Sequence, residues 1–313
     1  MLKRQTVGIV GTGQVGMAAA YAIFQQKSAG RLILIDIDKK RAEGEAMDLM
    51  HAQAYVGRCD VDAGDYSDLQ DAQMVVISAG VSQKPGETRL ELLNRNTAIF
   101  REIAEQLDRY APGAILLIAT NPVDILTYIM QSLSKRPPHL IIGTGTMLDT
   151  TRFRTLLSEY YNVDPRSVHA VILGEHGDSE VPIWSTADIA GTRLIDGMIM
   201  GKPFDPAAMD AIFQRVRRAA YEIINRKGYT NWAIGLVIAH LWRTILDDQN
   251  SVLPVSVRLN GEYGIHDVCL SIPTTVGING VGERVLPALN EQELQALRHS
   301  AEVLKQSLAG IVL

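Results

Sequence analysis

Val7-Gly8-Ile9-Val10-Gly11-Thr12-Gly13-Gln14-Val15-Gly16 is an apolar run that ends in a glycine-rich turn. Gly11, Gly13 and Gly16 form a GxGxxG triplet, which alone fits any tight strand-to-helix turn. Here it follows a predicted strand, Val7–Val10, and opens a predicted helix, Gln14–Lys27. The free N–H groups at the start of that helix can hold a pyrophosphate. Asp36 ends the next apolar run, 20 residues after Gly16. A carboxylate there accepts hydrogen bonds from ribose hydroxyls and repels a 2′-phosphate, which selects NAD over NADP.

The same alternation continues on both sides of this segment. Val7–Val10, Leu32–Ile35, Met74–Ser78, Ala114–Ala119 and Leu140–Ile142 read as buried strands. Gln14–Lys27, Arg41–His51, Glu91–Tyr110 and Val123–Leu133 read as the helices between them. This is the pattern of an α/β protein with a Rossmann-type doubly wound parallel sheet, covered on both faces. It predicts an NAD-binding domain over residues 1–144. From residue 145 the pattern changes to an α+β substrate/catalytic domain, 145–313. Its expected elements are a helix Leu148–Tyr161, a strand Val168–Leu173 and a helical region Pro206–Leu246 broken around Gly228–Tyr229. Strands Leu253–Leu259 and Val268–Ile272 follow, joined at Asn260-Gly261, then a final helix with Asn290 as N-cap and Glu293 at the capping-box position. No low-complexity linker separates the halves, so the site is expected between two tightly joined domains.

Bulk properties narrow the function. With 313 residues the chain is long enough for a substantial core. A net charge of −5 argues against nucleic acid as a partner. The most apolar segment, Gly113–Met130, is interrupted by Asn121, Pro122 and Asp124, so no membrane span is expected. Six residues before the first strand are too few for a signal peptide. Two cysteines, Cys59 and Cys269, fit reduced thiols in the cytoplasm better than a disulfide framework. No metal is expected.

Hydride transfer to a carbonyl beside NAD needs a proton donor for the developing alkoxide and a group that polarises the carbonyl, with a cation where the substrate carries a carboxylate. Asp149 and Arg152, three apart on a predicted helix, share a face. Asp149 can hold an imidazole and stabilise its protonated form; Arg152 can grip a carboxylate through two parallel bonds. Seen alone, they read first as an ordinary intrahelical ion pair. His176, in Gly174-Glu175-His176-Gly177-Asp178, is one of seven histidines and lies between glycines that give it little cover. Arg89 ends a polar, Pro-Gly-containing segment, Ala79–Arg89, which could serve as a lid or simply be a solvated loop. Asn121, after Ala119 and Thr120 at the end of another strand, could orient cofactor and substrate, or be a turn residue before proline.

Taken together, the chain resembles the lactate/malate dehydrogenase family, and its L-lactate branch closely. The resemblance rests on six motifs in order: GTGQVG (11–16), QKPGETRLELLNRN (83–96), ATNPVD (119–124), GTGTMLDTTRFR (143–154), LGEHGDSEVPIWS (173–185) and KGYTNWAIG (227–235). It implies that His176 exchanges a proton with pyruvate or L-lactate, that Asp149 orients it, and that Arg152 binds the substrate carboxylate. It further implies that Arg89 polarises the carbonyl and that Asn121 and Thr230 line the pocket. Gly11, Gly13, Val15, Gly16, Asp36, Arg41, Tyr66, Gly80, Val81, Ala119 and Thr120 correspond to positions around NAD. Gln83 occupies the position that faces the substrate side chain, Gln in lactate enzymes and Arg in malate enzymes. An arginine facing a methyl group would be a buried unpaired charge, so Gln83 favours pyruvate over oxaloacetate. A malate enzyme on the same fold and a non-catalytic NAD sensor are the alternatives; a sensor has no reason to keep Arg89, Asp149, Arg152 and His176 together.

Arg154 is two residues beyond Arg152 and, at about 100° per residue, points away from the substrate face. His169 lies on the following strand. On a plain reading they are a surface Arg and a half-buried His. The resemblance implies more: in bacterial family members the matching Arg and His of two subunits bind fructose 1,6-bisphosphate, which favours a homotetramer or its high-affinity state. The short N-terminal segment fits the bacterial type, whereas Lys227–Gly235 looks more like the vertebrate one.

Overall fold

The computed structural model describes residues 5–81 and 86–312. Its first half contains β1 (Thr6–Val10), α1 (Gln14–Gln25), β2 (Arg31–Ile35), α2 (Lys39–His51), α3 (Gln53–Val56), β3 (Asp60–Ala63), β4 (Ala72–Ile77), α4 (Arg89–Tyr110), β5 (Ile115–Ile118), α5 (Val123–Leu133) and β6 (Ile141–Gly143). These six strands pair in parallel in the order β6-β5-β4-β1-β2-β3. The order reverses between β1 and β4, and their carboxyl ends open the crevice where a doubly wound sheet takes its ligand. Five strands were legible because strands covered on both faces are continuous apolar runs; Val75, Val76, Leu116 and Leu117 are fully buried. β3 was not predicted. It is the edge strand, it carries Asp60 and Asp62, and only Val61 within it is buried.

The second half begins with α6 (Met147–Tyr161), followed by the short strands β7 (Val168–His169), β8 (Ile172–Leu173), β9 (Val181–Pro182), β10 (Asp188–Ile189) and β11 (Thr192–Arg193). The single strand expected over Val168–Leu173 is two. β7 pairs with β10, whereas β8 pairs with β9, because the chain changes sheets at Ala170 and Val171. Then come α7 (Pro206–Lys227), α8 (Trp232–Leu246), β12 (Ser251–Asn260), β13 (His266–Gly277), β14 (Gly280–Arg284) and α9 (Glu291–Leu308). Gly228 ends α7 in the left-handed region, at φ 86°, where the sequence predicted the break. β14 is a strand the sequence reading did not include.

β12 joins β6 antiparallel through Ser256 and Gly143, so one nine-stranded sheet runs across residue 144. Helices cross the same line. α8 packs on α1 at Gly235, where a Cβ would lie 2.7 Å from the carbonyl of Ala18. Trp242 of α8 is fully buried and its indole N–H donates to Ser28 O at 3.1 Å. Burial of one such ring stabilises by roughly 2–3 kcal/mol. α9 starts with the expected capping box, and its Glu293 carboxylate also accepts the backbone N–H groups of Trp184 and Ser185 at 2.8 and 2.9 Å. The last helix is thereby fastened to the segment that follows His176.

Candidate active site

The three glycines after β1 do different things. Gly11 has φ +99°, and a Cβ there would sit 2.5 Å from Ala79 N, so it sets the turn and lets β1 and the β4 loop approach. A Cβ at Gly16 would be 2.0 Å from Gly11 O; this glycine seats α1 on the strand. At Gly13 a Cβ would meet nothing within 4 Å. Gly13 is also the N-cap of α1 and gives no side-chain cap, so the first N–H groups of the helix remain available. An open cradle at a bare helix N-terminus fits a pyrophosphate.

Asp36, just past β2, faces the same turn. Its Oδ2 accepts the Thr12 N–H at 2.7 Å and the Thr12 hydroxyl at 2.9 Å, and its Oδ1 accepts the Asp38 N–H at 3.0 Å. Burial pushes this carboxyl up, but the Asp38 and Thr12 donors and the Arg41 charge bring it below the usual range. It is an ionised acceptor with lone pairs left for ribose hydroxyls. Arg41 is exposed in the first turn of α2, its N–H bonded to Asp38 Oδ1 at 3.2 Å. Val15 is half-buried on α1, and Tyr66 is half-buried in a short helical turn before β4. Gly80 and Val81 follow β4, and Ala119 and Thr120 follow β5. Thr120 Oγ1 donates to Ala79 O at 2.7 Å, tying these two loops together.

The proton-transfer candidates do meet. Asp149 is 3% exposed in the first turn of α6. Its Oδ2 lies 2.5 Å from His176 Nδ1, and its Oδ1 accepts from Arg152 Nη1 at 2.9 Å. The intrahelical ion pair and the imidazole support, alternatives on sequence alone, are both present on one carboxylate. Burial raises Asp149, but the His176 and Arg152 charges hold it below the usual range. For His176, burial works downwards, yet the Asp149 charge and hydrogen bond, with Asp124 behind them, lift it to about 9. With Nδ1 committed to Asp149, Nε2 is the nitrogen left to exchange a proton.

The loop carrying His176 is anchored from three elements. Gly174 exchanges both backbone hydrogen bonds with Ser271 of β13, at 3.0 and 2.9 Å. The Glu175 N–H donates to Ser300 Oγ of α9 at 2.8 Å. The His176 N–H donates to Asp124 Oδ2 of α5 at 2.7 Å. Gly174 serves this anchoring: it has φ +89°, and a Cβ there would lie 2.7 Å from Ser300 Oγ.

Other expected residues stand apart from this cluster. Arg89 is the first residue of α4, not part of a loop, because Thr88 caps the helix with Glu91 two residues earlier than the apolar pattern starts. It is exposed, and its charge acts on Tyr221 of α7. Asn121 is exposed at the carboxyl end of β5, before a cis bond to Pro122. Thr230 is half-buried between α7 and α8. Gln83 lies outside the described residues. Arg154 Nε donates to Ala170 O at 2.8 Å, beside the exposed His169 on β7.

Three residues in the quoted motifs were passed over. Asn96 is 1% exposed in α4 and its Oδ1 accepts the Val81 N–H at 3.0 Å, which fixes the loop after β4. Asp124 is 2% exposed. Glu180 is 7% exposed, its Oε1 has no hydrogen-bond partner among the described residues, and burial with the nearby Asp149 charge raises its carboxyl well above the usual range. A carboxylate or amide inside an otherwise apolar helical stripe is the sequence signal for the first two.

Residues 5–143 match the description "lactate/malate dehydrogenase, NAD binding domain", and residues 146–312 match "lactate/malate dehydrogenase, alpha/beta C-terminal domain". An L-lactate dehydrogenase of Salinibacter ruber is 59% identical over 312 residues, covering 99% of each chain. One of Gloeobacter violaceus is 48% identical, covering 97% of this chain and 92% of its own. The crystal structure of minor L-lactate dehydrogenase from Enterococcus mundtii in its ligand-bound form superposes with a TM-score of 0.95 at 42% identity, covering 99% of each chain.

Proposed function

This chain belongs to the lactate/malate dehydrogenase family, an NAD-binding group of oxidoreductases, and from that premise we propose that it interconverts pyruvate and L-lactate. The observation that carries the reading is the shared carboxylate of Asp149, which holds the ring of His176 and one edge of Arg152 at once. Bound NAD supplies the hydride acceptor, and NADH the donor. The rest falls to side chains. His176 delivers its Nε2 proton to the carbonyl oxygen of pyruvate, or takes one from the hydroxyl of lactate. Asp149 keeps the imidazole in the matching tautomer and stabilises its charge. Arg152 offers the substrate carboxylate the edge that Asp149 leaves free.

Arg89 polarises the carbonyl once the first turn of α4 is brought over the substrate. Asn121 and Thr230 line the pocket, and Gln83 faces the methyl group. Gly11, Gly13, Val15, Gly16, Asp36, Arg41, Tyr66, Gly80, Val81, Ala119 and Thr120 surround NAD. On this reading the chain divides into an NAD-binding domain, 1–144, and a substrate domain, 145–313. Lactate is favoured over malate by the neutral Gln83 and by the names of the most similar relatives.

The same reading extends to regulation and assembly. Arg154 and His169 bind fructose 1,6-bisphosphate across a twofold axis of a homotetramer. Support comes from the Arg154 bond to Ala170 O, the carbonyl of the residue that follows His169. Exposed apolar side chains on α2 and α8, among them Met47, Met50, Trp232 and Leu236, fit burial between subunits. Free, buried Cys59 and Cys269 fit the cytoplasm. NADH oxidation with pyruvate and with oxaloacetate, each with and without the bisphosphate, tests all of this. A strong pyruvate preference and stimulation are expected. Preference for oxaloacetate overturns the substrate, and kinetics unchanged by the bisphosphate overturn the effector.

A further inference from the structure

Asp124 lies in the first turn of α5, where every residue from Val123 to Thr127 is buried. A carboxylate without solvent needs donors, and two arrive from distant parts of the chain. Its Oδ2 accepts the main-chain N–H of His176 at 2.7 Å. Its Oδ1 accepts the hydroxyl of Ser256, a fully buried residue of β12, at 2.5 Å. His176 is therefore gripped by two carboxylates: Asp149 of α6 at the ring and Asp124 of α5 at the backbone. The second grip links the helix after the Asn121-Pro122 turn to the residue that exchanges the proton.

We infer that Asp124 is a positioning residue for proton transfer, fixing the main chain of His176 and supplying a second negative charge that favours its imidazolium. The inference rests on the role proposed above for His176. The charged and titratable groups around the pair are Asp149 and Arg152 from α6, Glu175 and Glu180 from the loop, and Cys269 from β13. Asp149, together with Asp124 itself, raises the proton affinity of His176, and Arg152 lowers it. Burial lifts the Asp124 carboxyl to about 6, against the pull of Ser256 and His176, so it is charged in neutral solution and protonated in mild acid.

Asp124→Asn separates charge from geometry. An amide oxygen can still accept the His176 N–H, and the amide N–H₂ can donate to Ser256 Oγ, which accepts as readily as it donates. The experiment follows the His176 ring by NMR across pH in the full-length chain, together with the pH profile of pyruvate reduction. In Asp124→Asn the His176 midpoint is expected to fall by roughly one pH unit, and the alkaline limb of reduction to move with it. Asp124→Ala is expected to lower kcat at every pH by roughly 10-fold or more, with NADH affinity kept. An unmoved His176 midpoint in Asp124→Asn overturns the charge, and wild-type kcat in Asp124→Ala overturns the positioning. Should Asp124→Asn not fold, Ser256→Ala decides the positioning: it frees Asp124 Oδ1 while the carboxylate stays charged where His176 titrates, so a lowered kcat with an unmoved His176 midpoint supports the inference and wild-type kcat sinks it. The ring titration needs no substrate. A shifted midpoint in a protein that reduces no 2-keto acid upholds Asp124's effect and overturns the proposed reaction instead.

Discussion

The carboxylate of Asp149 and the imidazole of His176 are 27 residues apart in the chain and 2.5 Å apart in space, Oδ2 to Nδ1. This pairing fixes the sign of the pH response. Burial lowers the proton affinity of His176, but the Asp149 charge and hydrogen bond lift its pKa to about 9. Pyruvate reduction consumes the imidazolium, so its rate is expected to hold through neutral pH and fall as pH rises through about 9. Lactate oxidation needs the neutral ring and is expected to rise over the same range. Asp149→Asn is expected to cost about 10³-fold in pyruvate reduction at neutral pH and to move the alkaline limb downwards. Stopped-flow hydride transfer across pH checks both.

The pair has a stability counterpart. A histidine whose pKa rises on folding stabilises fully below its unfolded value of about 6.5, and that contribution is lost as pH rises through about 9. Thermal midpoints measured between neutral pH and about 10 are expected to fall more steeply for the wild type than for His176→Asn. Parallel curves would mean that the Asp149–His176 contact does not hold in solution.

Arg152 has one nitrogen, Nη1, on Asp149, and its use for a substrate carboxylate depends on the planar fork. Lysine can keep the charge but not two directed bonds. Arg152→Lys is expected to lower kcat/KM for pyruvate roughly 10- to 100-fold, mostly through KM. An unchanged KM would take Arg152 off the carboxylate.

Asp36 holds the Thr12 N–H as well as facing the cofactor crevice, so its replacement should show two effects. Asp36→Ser removes the charge that would meet a 2′-phosphate, and the NADH-over-NADPH preference is expected to shrink at least about 10-fold. It also strips Thr12 of its acceptor, which is expected to lower the thermal midpoint by roughly 2–4 °C. Cofactor-dependence assays and calorimetry read the two separately.

Gly13 and Gly16 look equivalent in the sequence and are opposite in the structure. Gly13→Ala puts a methyl group into open space, so the thermal midpoint is expected to stay within about 1 °C while NADH binding weakens at least roughly 10-fold. Gly16→Ala drives a methyl group onto Gly11 O, and a fall of at least about 4 °C is expected before any cofactor is added. Equal thermal midpoints for the two variants would refute the division.

What the sequence disclosed follows from how far each feature depends on local pattern. The parallel strands through Val75 and Leu116 were visible because burial on both faces makes them apolar throughout. Asn290 and Glu293 were visible because a capping box is a fixed spacing. β3 was hidden because its two aspartates belong to an edge, which only the assembled sheet defines. The split at Ala170 depends on two different partner strands. The helical start at Arg89 carries the same capping-box spacing, Thr88 to Glu91, but lies ahead of the apolar stripe from which the helix was read. At the site, Asp149, Arg152 and His176 could be named from spacing and chemistry. Asp124 and Asn96 could not be assigned tasks, because their partners, His176 with Ser256 and Val81, are brought in by the tertiary fold.

The bond from Glu175 to Ser300 places a timetable on the chain. Synthesis proceeds from the N-terminus, so the glycine turn at Gly11–Gly16 and Asp36 emerge early. The loop that presents His176 gains its α9 anchor only after residue 300 has left the ribosome. The seat of the proton donor is thus among the last parts of the chain to be completed, after α8, which packs on the helix of the nucleotide turn.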